Sequence, residues 1–200
     1  DWKGFFWLGT PLRLIKVTYG KEKISYQYYQ HDSDNEHSIS DNYVTSITED
    51  LEHHLWVGTQ QGLNLLYPDS HTFKRYKSTN TAGLLNDNVR VLKTDRTGKL
   101  WIGTQGGLSI YDSRKKTFKF YQSTTHNNEG LSNNSIHSIF QDKHGNVWVG
   151  TYWGGVNLVS KDDTPFYTYQ TQSSAKVNND VIGAVLEDSF QNLWIGTEGN

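Results

Sequence analysis

Leu100-Trp101-Ile102-Gly103-Thr104 decides the fold, because its core, Trp-x-Gly-Thr, is written five times along the chain. The copies begin at Trp7, Trp56, Trp101, Trp148 and Trp194, separated by 49, 45, 47 and 46 residues. Near-identical tetrapeptides at such a period mark a repeat architecture, which has to be recognised before any single motif is weighed. The pattern extends outward from each Trp. Six residues upstream stands an Asp (Asp1, Asp50, Asp95, Asp142, Asp188), and six before the last four of these an aliphatic (Val44, Val89, Ile136, Ile182). Downstream comes an apolar stretch such as Leu108-Ser109-Ile110-Tyr111. An aromatic-x-x-Tyr pair follows: Tyr26/Tyr29, Phe73/Tyr76, Phe118/Tyr121 and Phe166/Tyr169.

Each repeat thus holds four short runs rich in β-branched and aromatic residues, bounded by Gly, Asn, Asp or Lys turns, and such runs read as strands. In the third repeat they fall near 89–95, 99–104, 108–112 and 117–122. Four antiparallel strands recurring every ~45 residues are the pattern of a propeller blade. The expected fold is all-β, an arc of about four four-stranded blades from a larger ring, expected to have seven. The whole of 1–200 is one propeller segment, with a partial blade at 1–30, blades at 43–78, 88–123 and 135–171, and a partial blade at 180–200. No helix longer than a turn is expected, with 78–88 and 122–135 the places where one would fit best.

Blade geometry explains the repeated residues. A second strand covered on both faces reads as a continuous apolar run, and the Gly after it (Gly58, Gly103, Gly150, Gly196) lets a neighbouring backbone or ring approach closely. The Asp-x-x-Gly segments form tight hairpins in which Asp caps its own turn and Gly takes a positive φ. Asp50, Asp95, Asp142 and Asp188 are architectural on this reading, and the catalytic or calcium alternative is the weaker one.

Composition agrees. The 200 residues include 7 Trp, 12 Tyr and 18 Gly against 3 Pro, a mixture suited to short strands and tight turns. A net charge of -2 argues against a nucleic-acid or anionic-membrane surface, both of which need clustered positive charge. With no Cys there is no disulfide scaffold and no thiolate metal site. No apolar run approaches the roughly 18 residues of a membrane span, and residues 1–25 lack the pattern of a signal peptide. The segment is expected to be soluble and, having no Met, to be an excised piece of a longer protein.

The fourth copy, Gly130-Leu131-Ser132-Asn133-Asn134-Ser135-Ile136 continuing to Asp142, Gly145-Asn146-Val147-Trp148-Val149-Gly150-Thr151, resembles the two-component regulator propeller repeat. The resemblance covers essentially the whole chain. It implies the periplasmic sensor region of a Bacteroidetes hybrid two-component histidine kinase, anchored in the inner membrane. Its propellers precede a β-sandwich, a membrane helix, a kinase, a receiver and a DNA-binding output. The family commonly detects oligosaccharides. Implied partners are the remaining blades and adjoining sensor domains of the parent, with a homodimer expected. The first copy departs from the pattern, reading Thr10-Pro11-Leu12-Arg13 in its second hairpin turn.

Residues common to every repeat hold the ring, so specificity belongs where repeats differ. The Trp-to-aromatic interval is 17 in two repeats but 19 in the first and 18 in the fourth, and the Tyr-to-aliphatic interval alternates between 15 and 13. In a propeller the second-to-third turns and the fourth-to-first connections share one face, a natural place for a ligand. The extra residue of the fourth repeat falls in Thr151-Tyr152-Trp153-Gly154-Gly155, so Tyr152 and Trp153 are the candidate ligand-binding residues, stacking on a sugar. The alternative is that Trp153 packs over the blade or an adjoining domain. The acidic, His-bearing run His31 to His37 reads as a solvated loop rather than a metal site, and no metal or cofactor is expected. Hydrolase and phosphate-loop signatures are missing, and His53-His54 lies in a hairpin turn with divergent side chains. The segment is expected to bind rather than catalyse. A protein-binding scaffold, or a propeller hydrolase or lyase, remains the alternative.

Overall fold

The computed structural model describes residues 1–20, 23–80, 83–123, 130–160, 167–172 and 177–198. β1 (Phe6–Gly9), β2 (Leu14–Tyr19) and β3 (Ile24–Tyr29) form a three-stranded sheet. Three four-stranded sheets follow. β4 (Val44–Glu49), β5 (Leu55–Thr59), β6 (Gly62–Tyr67) and β7 (Thr72–Tyr76) make the first. β8 (Val89–Thr94), β9 (Leu100–Thr104), β10 (Gly107–Asp112) and β11 (Thr117–Tyr121) make the second, matching the expected strands to within a residue. β12 (Ile136–Gln141), β13 (Val147–Thr151), β14 (Val156–Val159) and β15 (Tyr167–Tyr169) make the third, and β16 (Ile182–Glu187) with β17 (Leu193–Thr197) closes the chain. Every pairing is antiparallel between sequence neighbours, the meander of a propeller blade. The described residues contain no helix. Phe166, expected to pair with Tyr169, lies outside the described residues, as do 124–129 and 173–176 of the connections.

The core lies between blades rather than within them. Trp56, Leu63 and Leu65 from one sheet pack with Val89, Leu92, Leu100 and Ile102 from the next and with Leu84 of the connection between them. Trp101, Leu108 and Ile110 repeat the arrangement against Leu131, Ile136, Ile139, Val147 and Val149. A second strand is therefore buried on both faces, and β5 and β9 are buried at all their residues. The Gly after each Trp explains how close the sheets come. A Cβ on Gly58 would stand 2.7 Å from Val89 Cγ1, one on Gly103 2.6 Å from Ile136 Cγ2, and one on Gly150 2.6 Å from Ile182 Cγ2. The anticipated neighbour was a backbone or a ring. It is instead the aliphatic that opens the next blade, so the repeated Gly and the repeated Val or Ile are one contact seen from two sides.

Burial of the repeated Trp follows this packing. Trp101 is 5% exposed and Trp56 2%, Trp7 and Trp148 are half-buried, and Trp194 is 63% exposed. Gly196 meets only Ala184 of its own hairpin. The Tyr of the aromatic pair lies against the same blade's Trp at 5.8 Å for Trp7/Tyr29, 5.5 Å for Trp56/Tyr76 and 5.8 Å for Trp148/Tyr169.

Candidate functional site

One face of the blades is uniform. Asp Oδ2 accepts a hydrogen bond from the indole Nε1 of the Trp six residues on, at 2.8 Å for Asp1/Trp7, Asp50/Trp56 and Asp95/Trp101 and 2.9 Å for Asp142/Trp148 and Asp188/Trp194. Its Oδ1 meanwhile accepts backbone N–H groups of the hairpin, Thr97 and Lys99 for Asp95, Phe190 and Asn192 for Asp188. Both carboxylate oxygens are acceptors, so Asp here ties the turn to the returning strand. The hairpin's left-handed residue is Gly4, Gly98 or Gly145 in three copies, but His53 (φ 66°) and Gln191 (φ 69°) occupy the same place without a glycine. Burial pushes the Asp142 carboxyl up, but the bonds from Trp148, Asn146 and His144 outweigh it and leave it below its ordinary value. For Asp188 the Trp194 and Asn192 bonds bring it down to about 2.

The opposite rim gathers the second-to-third turns and the fourth-to-first connections, since Val44 pairs with Thr59 and Leu63 with Tyr76. Here too part of the structure repeats. The hydroxyl of Thr59, Thr104 and Thr151 donates to the carbonyl of Gly62, Gly107 and Gly155, closing each turn. Thr10 does the same to Arg13 and closes the divergent first copy. Each connection is pinned by the side chain two before the aliphatic: Asn42, Asp87, Asn134 and Asp180 accept the N–H of His31, Ser78, Ser123 and Thr171. Buried Asn64 and Asn157 hold Ser40 and Ser132 in the same connections. The His31 to His37 loop is also held, by Arg75 donating to Ser38, Asn35 and Ile39. Among the described residues no three His, Asp or Glu side chains group for a metal ion.

Against that frame one position varies in chemistry. The first strand of every full pairing carries a register shift just after its aliphatic, at Val44/Ser46, Val89/Val91, Ile136/Ser138 and Ile182/Ala184. A bulge leaves its extra residue unpaired and re-aims the side chain. The four bulged residues are Thr45, Arg90, His137 and Gly183. Arg90 reaches across the blade boundary, its Nη1 donating to Ser135 Oγ at 2.9 Å and to His137 Nε2. The Tyr152 ring stacks on His137 at 5.1 Å with 19° between planes, and Trp153 meets Tyr152 edge-on at 5.3 Å. Burial pushes the His137 imidazole below its ordinary value, Arg90 pushes it the same way, and Glu198 opposes them.

Tyr152 and Trp153 thus sit on the expected rim. They are not equivalent: Tyr152 has one face on His137, whereas Trp153 is 64% exposed on a residue held at φ 67°. Arg90 and His137 were not singled out in the sequence, because the intervals around them are constant. Their signal was chemical divergence at a fixed repeat position. The other His pair behaves as the turn requires, with His53 Nδ1 at 2.8 Å from Glu49 and His54 Nδ1 at 3.1 Å from Asp50.

The profile of the two component regulator propeller repeat matches residues 83–106, 130–153 and 176–199. No curated protein matches the chain. The extracellular domain of a hybrid two-component system of B. thetaiotaomicron superposes with a TM-score of 0.77 at 26% identity, over 100% of this chain and 27% of that one. A second such domain from B. thetaiotaomicron gives 0.52 at 23% identity, over 98% and 31%. A virginiamycin B lyase of Staphylococcus aureus gives 0.65 at 12% identity, over 98% and 60%, a likeness of fold alone. The chain spans under a third of the two extracellular domains it matches.

Proposed function

Because the chain carries two component regulator propeller repeats, we propose that it is part of the extracytoplasmic, ligand-sensing propeller of a hybrid two-component system. It responds to an oligosaccharide at the rim bearing Tyr152 and Trp153. The likeness to extracellular domains of such systems supports the setting. The parent is an inner-membrane protein with its kinase outside these residues, so the segment binds and does not catalyse. Leu186 and Trp194, 60% and 63% exposed where Trp101 is covered, support a further blade packing there, and a homodimer of the parent completes the proposal.

One observation carries the ligand assignment: a Trp stands exposed on a turn whose backbone is closed beneath it by Thr151, on the rim where blades differ. Such a ring offers a flat apolar surface to the C–H face of a sugar, while hydrogen bonds from neighbouring polar groups fix its orientation. Calorimetry of the intact protein against a panel of oligosaccharides tests it. Tyr152→Ala with Trp153→Ala is expected to weaken binding about two- to tenfold, the loss of one or two ring contacts. Unchanged affinity in the double variant would remove the assignment.

A further inference from the structure

Arg90 and His137 hold donors for which the described residues supply no acceptor. Arg90 and His137 come from adjacent blades, each thrown out of its ladder by the bulge after the aliphatic. The guanidinium has only donors, so His137 Nε2 must accept from Arg90, and the imidazole is neutral with its proton on Nδ1. Among the described residues Arg90 bonds only through Nη1, to Ser135 and His137. Its Nε and Nη2 hold no partner there, and no carboxylate pairs with it. His137 Nδ1 likewise has no partner among the described residues. A half-buried guanidinium with an unused planar fork, beside a second donor, complements an anion with two coplanar or tetrahedral oxygens.

The aromatic shelf is continuous with these donors. Tyr152 stacks on His137, and exposed Trp153 adjoins Tyr152. The contacts run in series from Trp153 through Tyr152 and His137 to Arg90. We propose that this rim takes an acidic sugar, its ring on Trp153 and its carboxylate or sulfate on the free fork of Arg90 and on His137. The proposal rests on the rim being the sugar site and adds the chemical class of sugar. Glu198, whose charge acts on His137, opposes such a ligand and tunes affinity downward.

The test is calorimetry of the intact protein with three sets of oligosaccharides of matched size: uronate-containing, sulfated, and the uronates after reduction of their carboxyls to alcohols. One acidic set should bind at least about tenfold more tightly than the neutral one, as expected for a charge-assisted pair, and which acid wins identifies the group. Arg90→Gln should erase that preference, so that acidic and neutral sets bind alike. Glu198→Gln should strengthen acidic binding about two- to threefold, an outcome that holds even if Arg90→Gln folds poorly. Trp153→Ala should weaken acidic and neutral ligands alike. Equal binding of acidic and neutral sets, or an Arg90→Gln that weakens both equally, overturns the acidic-sugar proposal while leaving the rim as a sugar site. No binding by any set overturns both.

Discussion

The two faces of the blades obey different rules. On the face of the first hairpins, one clamp is built five times from the same two side chains, with Asp–indole distances between 2.8 and 2.9 Å. On the opposite rim the backbone is pinned just as regularly, yet the bulged position reads Thr45, Arg90, His137 and Gly183, and one turn alone carries two aromatics. The difference separates two demands on a repeat. Contacts that every blade must make with its neighbour have a single solution, whereas a bulge that points a side chain away from the ladder costs the same whatever that side chain is. Variation is cheapest at the bulge, and ligand chemistry can accumulate there without loosening the stack.

The largest effect expected from this division is at the centre of the uniform set. Trp101→Ala should cost roughly 3–5 kcal/mol, visible as a fall in melting temperature of about 10 °C. A fall of only a degree or two would mean that the buried indole is not what holds adjacent blades together. Next is the notch. Gly103→Ala would place a Cβ 2.6 Å from Ile136 Cγ2 and should cost about 1–3 kcal/mol by overpacking. Gly183→Ala, with no atom nearer than a carbonyl at 3.9 Å, should cost under about 0.5 kcal/mol. Equal costs in a denaturant titration would dissolve the distinction between notch and bulge.

Asp95→Asn sharpens the clamp itself. An amide has one acceptor oxygen, so either the Trp101 indole or the Thr97 and Lys99 amides must face an NH2 group. The expected cost is about 1–3 kcal/mol, and an isoenergetic variant would show that the second carboxylate oxygen is dispensable. The smallest effect is on pH. Asp142 is held below its ordinary value of 3.8, so its contribution is fully present above that value and is lost as pH falls through the lower folded value. The gap in melting temperature between the parent protein and Asp142→Asn should stay constant from pH 7 to about 5 and narrow below about 4. A gap that widens in acid would reverse the sign.

Much of the fold was legible because a repeat states its contacts several times over. The spacing of Val89, Asp95 and Trp101 located three elements of one blade, and β8 to β11 fall where their runs suggest. What the spacing could not show was direction across the blade boundary. Gly103 and Ile136 are 33 residues apart in sequence, and only stacking turns them into neighbours. The bond from Trp101 to Asp95 is hidden in the sequence for a related reason: capping of the turn uses one carboxylate oxygen of Asp95, and spacing alone does not say what the second one meets. Tyr152 and Trp153 are marked in the sequence by an insertion. Arg90 and His137 carry no such mark, because a register shift inside a strand leaves sequence intervals unchanged.

The division of labour between the two faces is tested most directly by measuring melting temperature and oligosaccharide affinity together in the intact protein, for Asp95→Asn and for Tyr152→Ala with Trp153→Ala. The clamp variant should melt several degrees lower, by about 2–4 °C per kcal/mol, with unaltered affinity. The rim variant should melt within about a degree of the parent while binding at least about twofold more weakly. A rim variant that melts as low as the clamp variant and still binds normally would contradict the account, assigning both rings to packing and removing the ligand from this rim.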